Sequence, residues 1–544
     1  MPHGDNAATL MTRMISSAHA VAFWLLAAAC FGAPLAALVW IVATNASATA
    51  ELWLDSFRLR LLARTLLFNA AIAALAGLLA YPAAVAVGRG RGWAARTLIV
   101  LMPISLLQPS IMFEYGWKQA LTLLRVFPSP QSTGDILRCI WTLAAWLWPI
   151  PAAVGALALR RADPAVLEQA ALDGALARVT FRLLARPMLA GVAIAFVLAS
   201  QEFAVFEPSG ISVIATEVRM VYETGAFSSP ANPITQVGIG GGAVGATQPH
   251  RIAAAVMTSL PMLVCTVAAA LLALLLGRAL AADSEVAPRA MVHAVRARAG
   301  WTAGAFLVLI VGTIVPIAAM FGSLSTPLQP SRVWNEFKPQ IVGSIALAAS
   351  ASVVCLLLLQ QLTRRSRIVA MAALVCFLAG GQILAVALIR LYNHDRTAWI
   401  YDSAAVCVIA YVARFGWIVL IAALATWTSP WRSLRDLAAT DGASASQTAW
   451  RVVFPLAWPA LAAATVLVAV LTLSEVPATM LLQPLRPQPI VPMLMTWIHL
   501  QRYDSMIEGT LLLSGVVMVG AVLIVLLSAS ARGIHGWLNE MAER

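Results

Sequence analysis

The chain has 544 residues, of which 61% are hydrophobic and only 11% charged, with a mean hydropathy of +0.84. A soluble domain carries about 25% charged residues, so this composition excludes a soluble globular protein. It implies an all-α polytopic membrane protein whose apolar surface faces lipid. The net charge of +12 is nearly all arginine, with Lys118 and Lys338 the only lysines. The arginines flank apolar segments in small groups, which is the positive-inside pattern and speaks against nucleic acid as a partner.

In chain order, apolar runs lie near 20–43, 65–88, 97–120, 139–159, 188–207 and 252–280, then near 302–322, 341–362, 368–392, 403–427, 458–482 and 508–530. A helix needs about 20 residues to span, so the chain is expected to have about twelve transmembrane helices in two similar six-helix halves. The first run, Ala20 to Val42, lacks a convincing cleavage site and is expected to stay in the chain. Residues 1–280 are read as the first half, 281–300 as a polar, basic cytoplasmic linker, and 301–544 as the second half. Outer loops are expected over Glu207–Arg251, with a glycine-rich stretch at Gly238–Gly245, and over Gln483–Ser505.

Arginine placement sets the orientation. Arg89, Arg91 and Arg96, Arg160 and Arg161, Arg364, Arg365 and Arg367, and Arg432, Arg435 and Arg451 fall on one side if the even-numbered spans end in the cytoplasm. Both termini are then cytoplasmic. Arg58, Arg60 and Arg64 break the pattern by grouping on the outer side. The six cysteines show no C-x-x-C spacing and are read as small buried hydrophobes.

One stretch occurs twice. Glu168-Gln-Ala-Ala-Leu-Asp-Gly174-Ala closes at Pro187, and Asp436-Leu-Ala-Ala-Thr-Asp-Gly442-Ala closes at Pro455. The glycines are 268 residues apart (442 minus 174), close to half the chain, as expected for two similar halves. Ala170 and Ala171, or Ala438 and Ala439, would let a short helix approach another surface closely. Gly174 and Gly442 allow a backbone reversal. Asp173 and Asp441 suit a turn or a cap. Pro187 and Pro455 fit the first turn of the next span. One copy alone reads as an ordinary amphipathic loop; two copies in matching places of a duplicated chain read as a built docking element.

The pattern Glu-x-Ala-x-x-x-Gly, followed by Pro thirteen residues after the glycine, resembles the EAA loop of binding-protein-dependent ABC importer permeases. The loops lie near 162–187 and 430–455. Glu168, Ala170, Gly174 and Pro187 match the motif, as do Ala438, Gly442 and Pro455; Gln169 and Asp436 depart from it. The resemblance implies a type I-like fold and a multi-pass protein of a bacterial inner membrane. It implies docking of a cytoplasmic ATPase, expected in two copies, through Glu168, Ala170, Gly174, Asp436, Ala438 and Gly442. A periplasmic solute-binding protein would deliver the solute, membrane lipid would surround the chain, and no cofactor is implied. Ser474-Glu-Val-Pro-Ala-Thr-Met-Leu-Leu482 is similar to a stretch of ferric-iron-type permeases, and related fused permeases carry thiamine or phosphonates.

The chain has no G-x-x-x-x-G-K-S/T loop, so ATP hydrolysis is expected on a separate subunit, and this chain is not read as an enzyme. There is no H-E-x-x-H pair, and the seven histidines are dispersed, so no metal site is expected. The competing class is an ion-gradient-driven secondary transporter, which also uses duplicated bundles and intramembrane carboxylates. Glu202 and Glu475 lie in the runs that follow the two copies. Glu202 stands fifteen residues past Pro187, about 22 Å along a helix. The plainer reading is that both carboxylates face a wet vestibule or cap a helix break before Pro208 and Pro477. The functional reading is that they line a translocation path and favour a cation such as ferric iron.

Overall fold

The computed structural model describes residues 20–45, 56–90, 92–126, 129, 131–224, 248–282, 299–359, 366–428, 432–484, 488–500 and 502–543. The linker residues 283–298, the glycine-rich stretch 238–245 and both chain ends (1–19 and 544) lie outside them. Every regular element among the described residues is helical.

Ten described helices are long and apolar enough to cross a membrane, and the number rises to twelve if two bent pairs each count as one span. The chain is therefore a multi-pass membrane protein by the length and composition of its helices. It falls into two units, each described separately.

The first unit covers Thr44–Pro330 and Met495–Thr510. After α1 (Ala20–Thr44), which joins the other unit, come α2 (Ser56–Arg89), α3 (Trp93–Leu107) and α4 (Ser110–Leu123). Then follow α5 (Thr133–Leu147), α6 (Pro149–Arg161), α7 (Pro164–Leu172), α8 (Leu176–Ser200), α9 (Ile214–Thr224) and α10 (Gln248–Ala282). The unit also holds α11 (Ala299–Gly322), which packs on α2 and α4. α2 packs against α5, α6 and α8. Small residues bring these backbones together: Gly155 lies against Ala84 and Met188, and Gly88 against Leu159. Membrane helices pack this way because lipid supplies no hydrophobic drive between them. Arg64, one of the arginines out of place by the positive-inside rule, donates from Nη2 to the Ser212 carbonyl.

The second unit holds α1, α12 (Pro330–Leu359), α13 (Ser366–Ala379), α14 (Gly381–Tyr392), α15 (Ala398–Tyr401), α16 (Ala405–Thr428) and α17 (Arg432–Thr440). Past a turn and the helical stretch Ala445–Val453 come α18 (Phe454–Leu473), α19 (Pro477–Leu482), α20 (Ile490–His499) as far as Leu494 and, from Leu511 on, α21 (Tyr503–Glu543). α16 is central and packs against α13, α14, α18 and α19. The π-helical stretch Ala28–Gly32 of α1 packs on α13 and α16, where Phe31 meets Gly416.

Four expected spans need correction. The runs near 97–120 and 368–392 are each two helices, α3–α4 bent by 94° and α13–α14 bent by 107°. Gln108 precedes Pro109 and takes an extended ψ of 149°, because a residue before proline is pushed out of the helical region. Gly380 bends the second pair with φ of +83°, which side chains disfavour. The helices of the runs near 188–207 and 458–482 end at Ser200 and Leu473, and the second run becomes helical again as α19. Glu202 and Glu475 therefore stand just past helix ends instead of on them.

The prolines that close the repeats also differ from expectation. Pro455 lies in the first turn of α18, but Pro187 lies inside α8. A proline inside a helix removes one backbone bond, and a membrane helix tolerates this where its neighbours re-satisfy the freed groups.

Candidate functional site

The repeated stretch folds as a short helix with the same closure in both copies. α7 begins at Asp163, whose Oδ1 accepts the Ala165 N–H at 2.9 Å, with Pro164 in the first turn. At its end, the Ala175 N–H donates to the Ala170 carbonyl at 2.8 Å and the Gly174 N–H to Ala171 at 3.3 Å. In α17 the Ala443 N–H donates to Ala438 at 3.0 Å and the Gly442 N–H to Ala439 at 3.1 Å. These are Schellman closures, and they need a left-handed residue: Gly174 has φ of +67° and Gly442 of +79°. Both backbone bonds of the first closure recur at the corresponding positions of the second.

The two copies are not identical beyond the turn. In the second, Ser444 and Gln447 form a capping box: the Ser444 N–H donates to Gln447 Oε1 at 2.9 Å and the Gln447 N–H to Ser444 Oγ at 3.3 Å. A π-helical stretch, Ala449–Val453, then leads into α18. In the first, α8 starts at Ala175 with no side-chain cap.

Ala170 is buried, whereas Ala438 is half-buried. Glu168 is half-buried, and its Oε1 is enclosed with no hydrogen-bond donor among the described residues; Asp436 is exposed. Leu172 is 82% exposed and Leu437 59% exposed. Nothing lies within 4 Å of where a side chain would begin on Gly174 or Gly442. Each copy thus leaves its turn uncovered and one apolar side chain exposed, Leu172 in the first and Leu437, which aligns with Gln169, in the second.

Beyond each copy the following span breaks, and a carboxylate caps the break. Glu202 Oε1 accepts the Ala204 N–H at 2.9 Å. Glu475 Oε1 accepts the Ala478 N–H at 3.1 Å, and its Oε2 accepts from Arg414 Nε at 2.7 Å. Both carboxylates are buried, at 8% and 4% exposure. The Arg414 guanidinium also lies 5.5 Å from the Phe415 ring centroid and 5.9 Å from that of Phe377. The start of α14 presses on the same place: a Cβ at Gly381 would strike Glu475 Oε1 and lie 3.1 Å from both the Ala478 nitrogen and Pro477. A helix N-terminus beside a carboxylate is favourable.

The face of α16 that carries Arg414 continues along the post-break segment. Tyr411 Oη and Thr479 Oγ1 are 2.9 Å apart, and Cys407 Sγ donates to the Leu482 carbonyl at 3.1 Å.

The first unit has a buried arginine in an analogous role. Arg138 of α5 donates from Nη1 to Glu114 Oε1 at 2.7 Å, from Nη2 to Asp135 Oδ1 at 2.5 Å and from Nη2 to Ser209 Oγ at 2.8 Å. Ser209 lies beyond the break that ends α8. Cys139, next in sequence, lies 3.4 Å from Ser209 Oγ and donates to the Val205 carbonyl at 3.7 Å.

Arg414, Arg138 and Glu114 were not singled out from the sequence. The signal was present: Glu114 and Arg414 sit within span-length apolar runs, where ionisable side chains are costly unless paired. Among the described residues, no group of three or more His, Cys, Asp or Glu side chains is placed to hold a metal ion.

No protein-family model, no curated protein and no solved structure matches this chain.

Proposed function

We propose that this chain is the permease subunit of an ATP-binding-cassette importer of type I-like architecture in a bacterial inner membrane. It passes a small solute from a periplasmic binding protein to the cytoplasm and has no nucleotide site of its own. α7 and α17 are the seats for two cytoplasmic ATPase subunits, and both chain termini are cytoplasmic.

The observation that supports this reading is the duplicated closure. The bonds 175→170 and 174→171 recur as 443→438 and 442→439, each in a short helix between two long apolar helices. A turn closed by two backbone bonds, with Leu172 or Leu437 exposed nearby, suits the seat of a partner that pushes on it. The departure at Asp436, a shorter acid, puts the weaker seat in the second copy.

Ferric iron is the substrate this reading names, on the resemblance of Ser474–Leu482. Glu475 adds little free charge to that case, because Arg414 already occupies one of its oxygens.

Purification of the chain from its own membranes tests the class. A co-purifying ATPase, and uptake that needs ATP, are expected. An intact chain without ATPase, whose uptake an ionophore abolishes, would replace this reading with that of a secondary transporter. The buried charge clusters at helix breaks favour that second reading, since such transporters place their sites there.

A further inference from the structure

Arg414 and Arg138, two of the buried arginines, occupy related places in the chain. Arg414 lies on α16, the helix that leads into α17. Glu475 follows α18, the helix that leads away from it. Their ion pair joins positions 61 residues apart. Arg138 lies on α5, which continues through α6 to α7, and its bond to Ser209, beyond α8, joins positions 71 residues apart. In each unit, then, the two arms that flank a repeated turn are fastened together at a distance from that turn.

The chemistry of the two fastenings differs. In the second unit the post-break segment supplies the acid, Glu475. In the first it supplies a hydroxyl, Ser209, while the acids, Glu114 and Asp135, come from α4 and α5. The same connection made from different residues points to the connection itself as what matters. Its physical effect follows from the break. A span interrupted after Leu473 would absorb a displacement at the interruption. The ladder Arg414–Glu475, Tyr411–Thr479 and Cys407–Leu482 removes that freedom by holding the post-break segment to α16.

We propose that Arg414 and Arg138 are positioning residues for coupling: each clamps the two arms of a repeated turn, so that a displacement of that turn reaches the break in the following span. The proposal rests on the importer reading only for what pushes on the turn. The clamp itself is a property of the chain.

The experiment is a double-mutant cycle read by amide hydrogen exchange on the full chain in lipid nanodiscs. Gly442→Val perturbs the turn, because a β-branched side chain is strained at φ of +79°. Arg414→Met with Glu475→Gln removes the clamp without leaving a buried charge unpaired, and the glutamine oxygen still caps Ala478. With the clamp intact, Gly442→Val is expected to speed exchange across Glu475–Leu482 by about tenfold, and in the clamp-free background by less than about twofold. Arg414→Lys, which keeps the charge, is expected to restore most of the coupling.

An equal effect of Gly442→Val in both backgrounds, or none with the clamp intact, would overturn the proposal. If the clamp-free chain does not fold, Thr479→Val, which removes one rung of the ladder, takes its place. It is then expected to weaken the effect of Gly442→Val, and an undiminished effect overturns the proposal. Whether an ATPase co-purifies is scored separately, so loss of the importer reading is not confused with loss of the clamp.

Discussion

Arg414 and Glu475 meet at 2.7 Å, Nε to Oε2, with side-chain exposures of 8% and 4%. A buried pair of this kind adds little over an apolar isostere, but removing one partner strands a charge. Arg414→Met alone is therefore expected to cost about 3–5 kcal/mol. Adding Glu475→Gln to it is expected to recover most of that loss. Thermal unfolding in nanodiscs would check the order: the single variant should be less stable than the double, and the reverse order would show that Glu475 does not depend on Arg414.

Gly381 is a second sensitive point of the same site. A methyl group there strikes Glu475 Oε1 and crowds Pro477 and the Ala478 nitrogen. Over-packing of this kind costs about 1–3 kcal/mol. Gly381→Ala should lower the thermal midpoint, and should do so less in the Glu475→Ala background, where the obstructing oxygens are gone.

The turns themselves respond differently. Nothing lies near a Cβ at Gly174 or Gly442, and aspartate enters the left-handed region more readily than most residues. Gly174→Asp with Gly442→Asp should leave the chain folded and inserted while placing two charges where the partner is proposed to sit. ATPase co-purification and uptake are both expected to be lost. Wild-type levels of both would remove the docking role.

Orientation has its own check. Gly174→Cys and Gly442→Cys place thiols on exposed turns. An impermeant maleimide should label them only after permeabilisation, because the arginines around both copies hold these loops inside. Labelling in intact cells would invert the topology.

The two carboxylates past the breaks can be neutralised without losing their caps. Glutamine at 202 and 475 still presents an oxygen to the N–H groups of Ala204 and Ala478. Ferric-iron uptake by Glu202→Gln with Glu475→Gln, made together with Arg414→Met so that no buried charge is stranded, is expected to fall sharply compared with Arg414→Met and Glu475→Gln without Glu202→Gln, while ATPase association persists. Unchanged uptake would make Glu202 structural and end the electrostatic case for iron.

By itself the sequence determined what depends on composition and on short stretches of chain. Length and hydropathy specify the apolar helices, because each must satisfy its backbone internally to lie in lipid. The repeated turn was legible because its closure needs only a glycine that can take positive φ after a short helix. Tertiary structure decided the rest. Hydropathy does not register a bend, so the runs over α3–α4 and α13–α14 predict two straight spans, whereas the backbone at Gln108 and Gly380 turns each of them. Glu475 lies 61 residues from Arg414 and Ser209 lies 71 from Arg138, so no local pattern marks either contact, although Asp135 pairs with Arg138 at i,i+3. The sequence left Glu475 as a vestibule residue, the cap of a break or a path-lining acid; the helix end at Leu473 and the bond to the Ala478 N–H show the cap, and the arginine that pairs with it arrives only when α16 packs against α19.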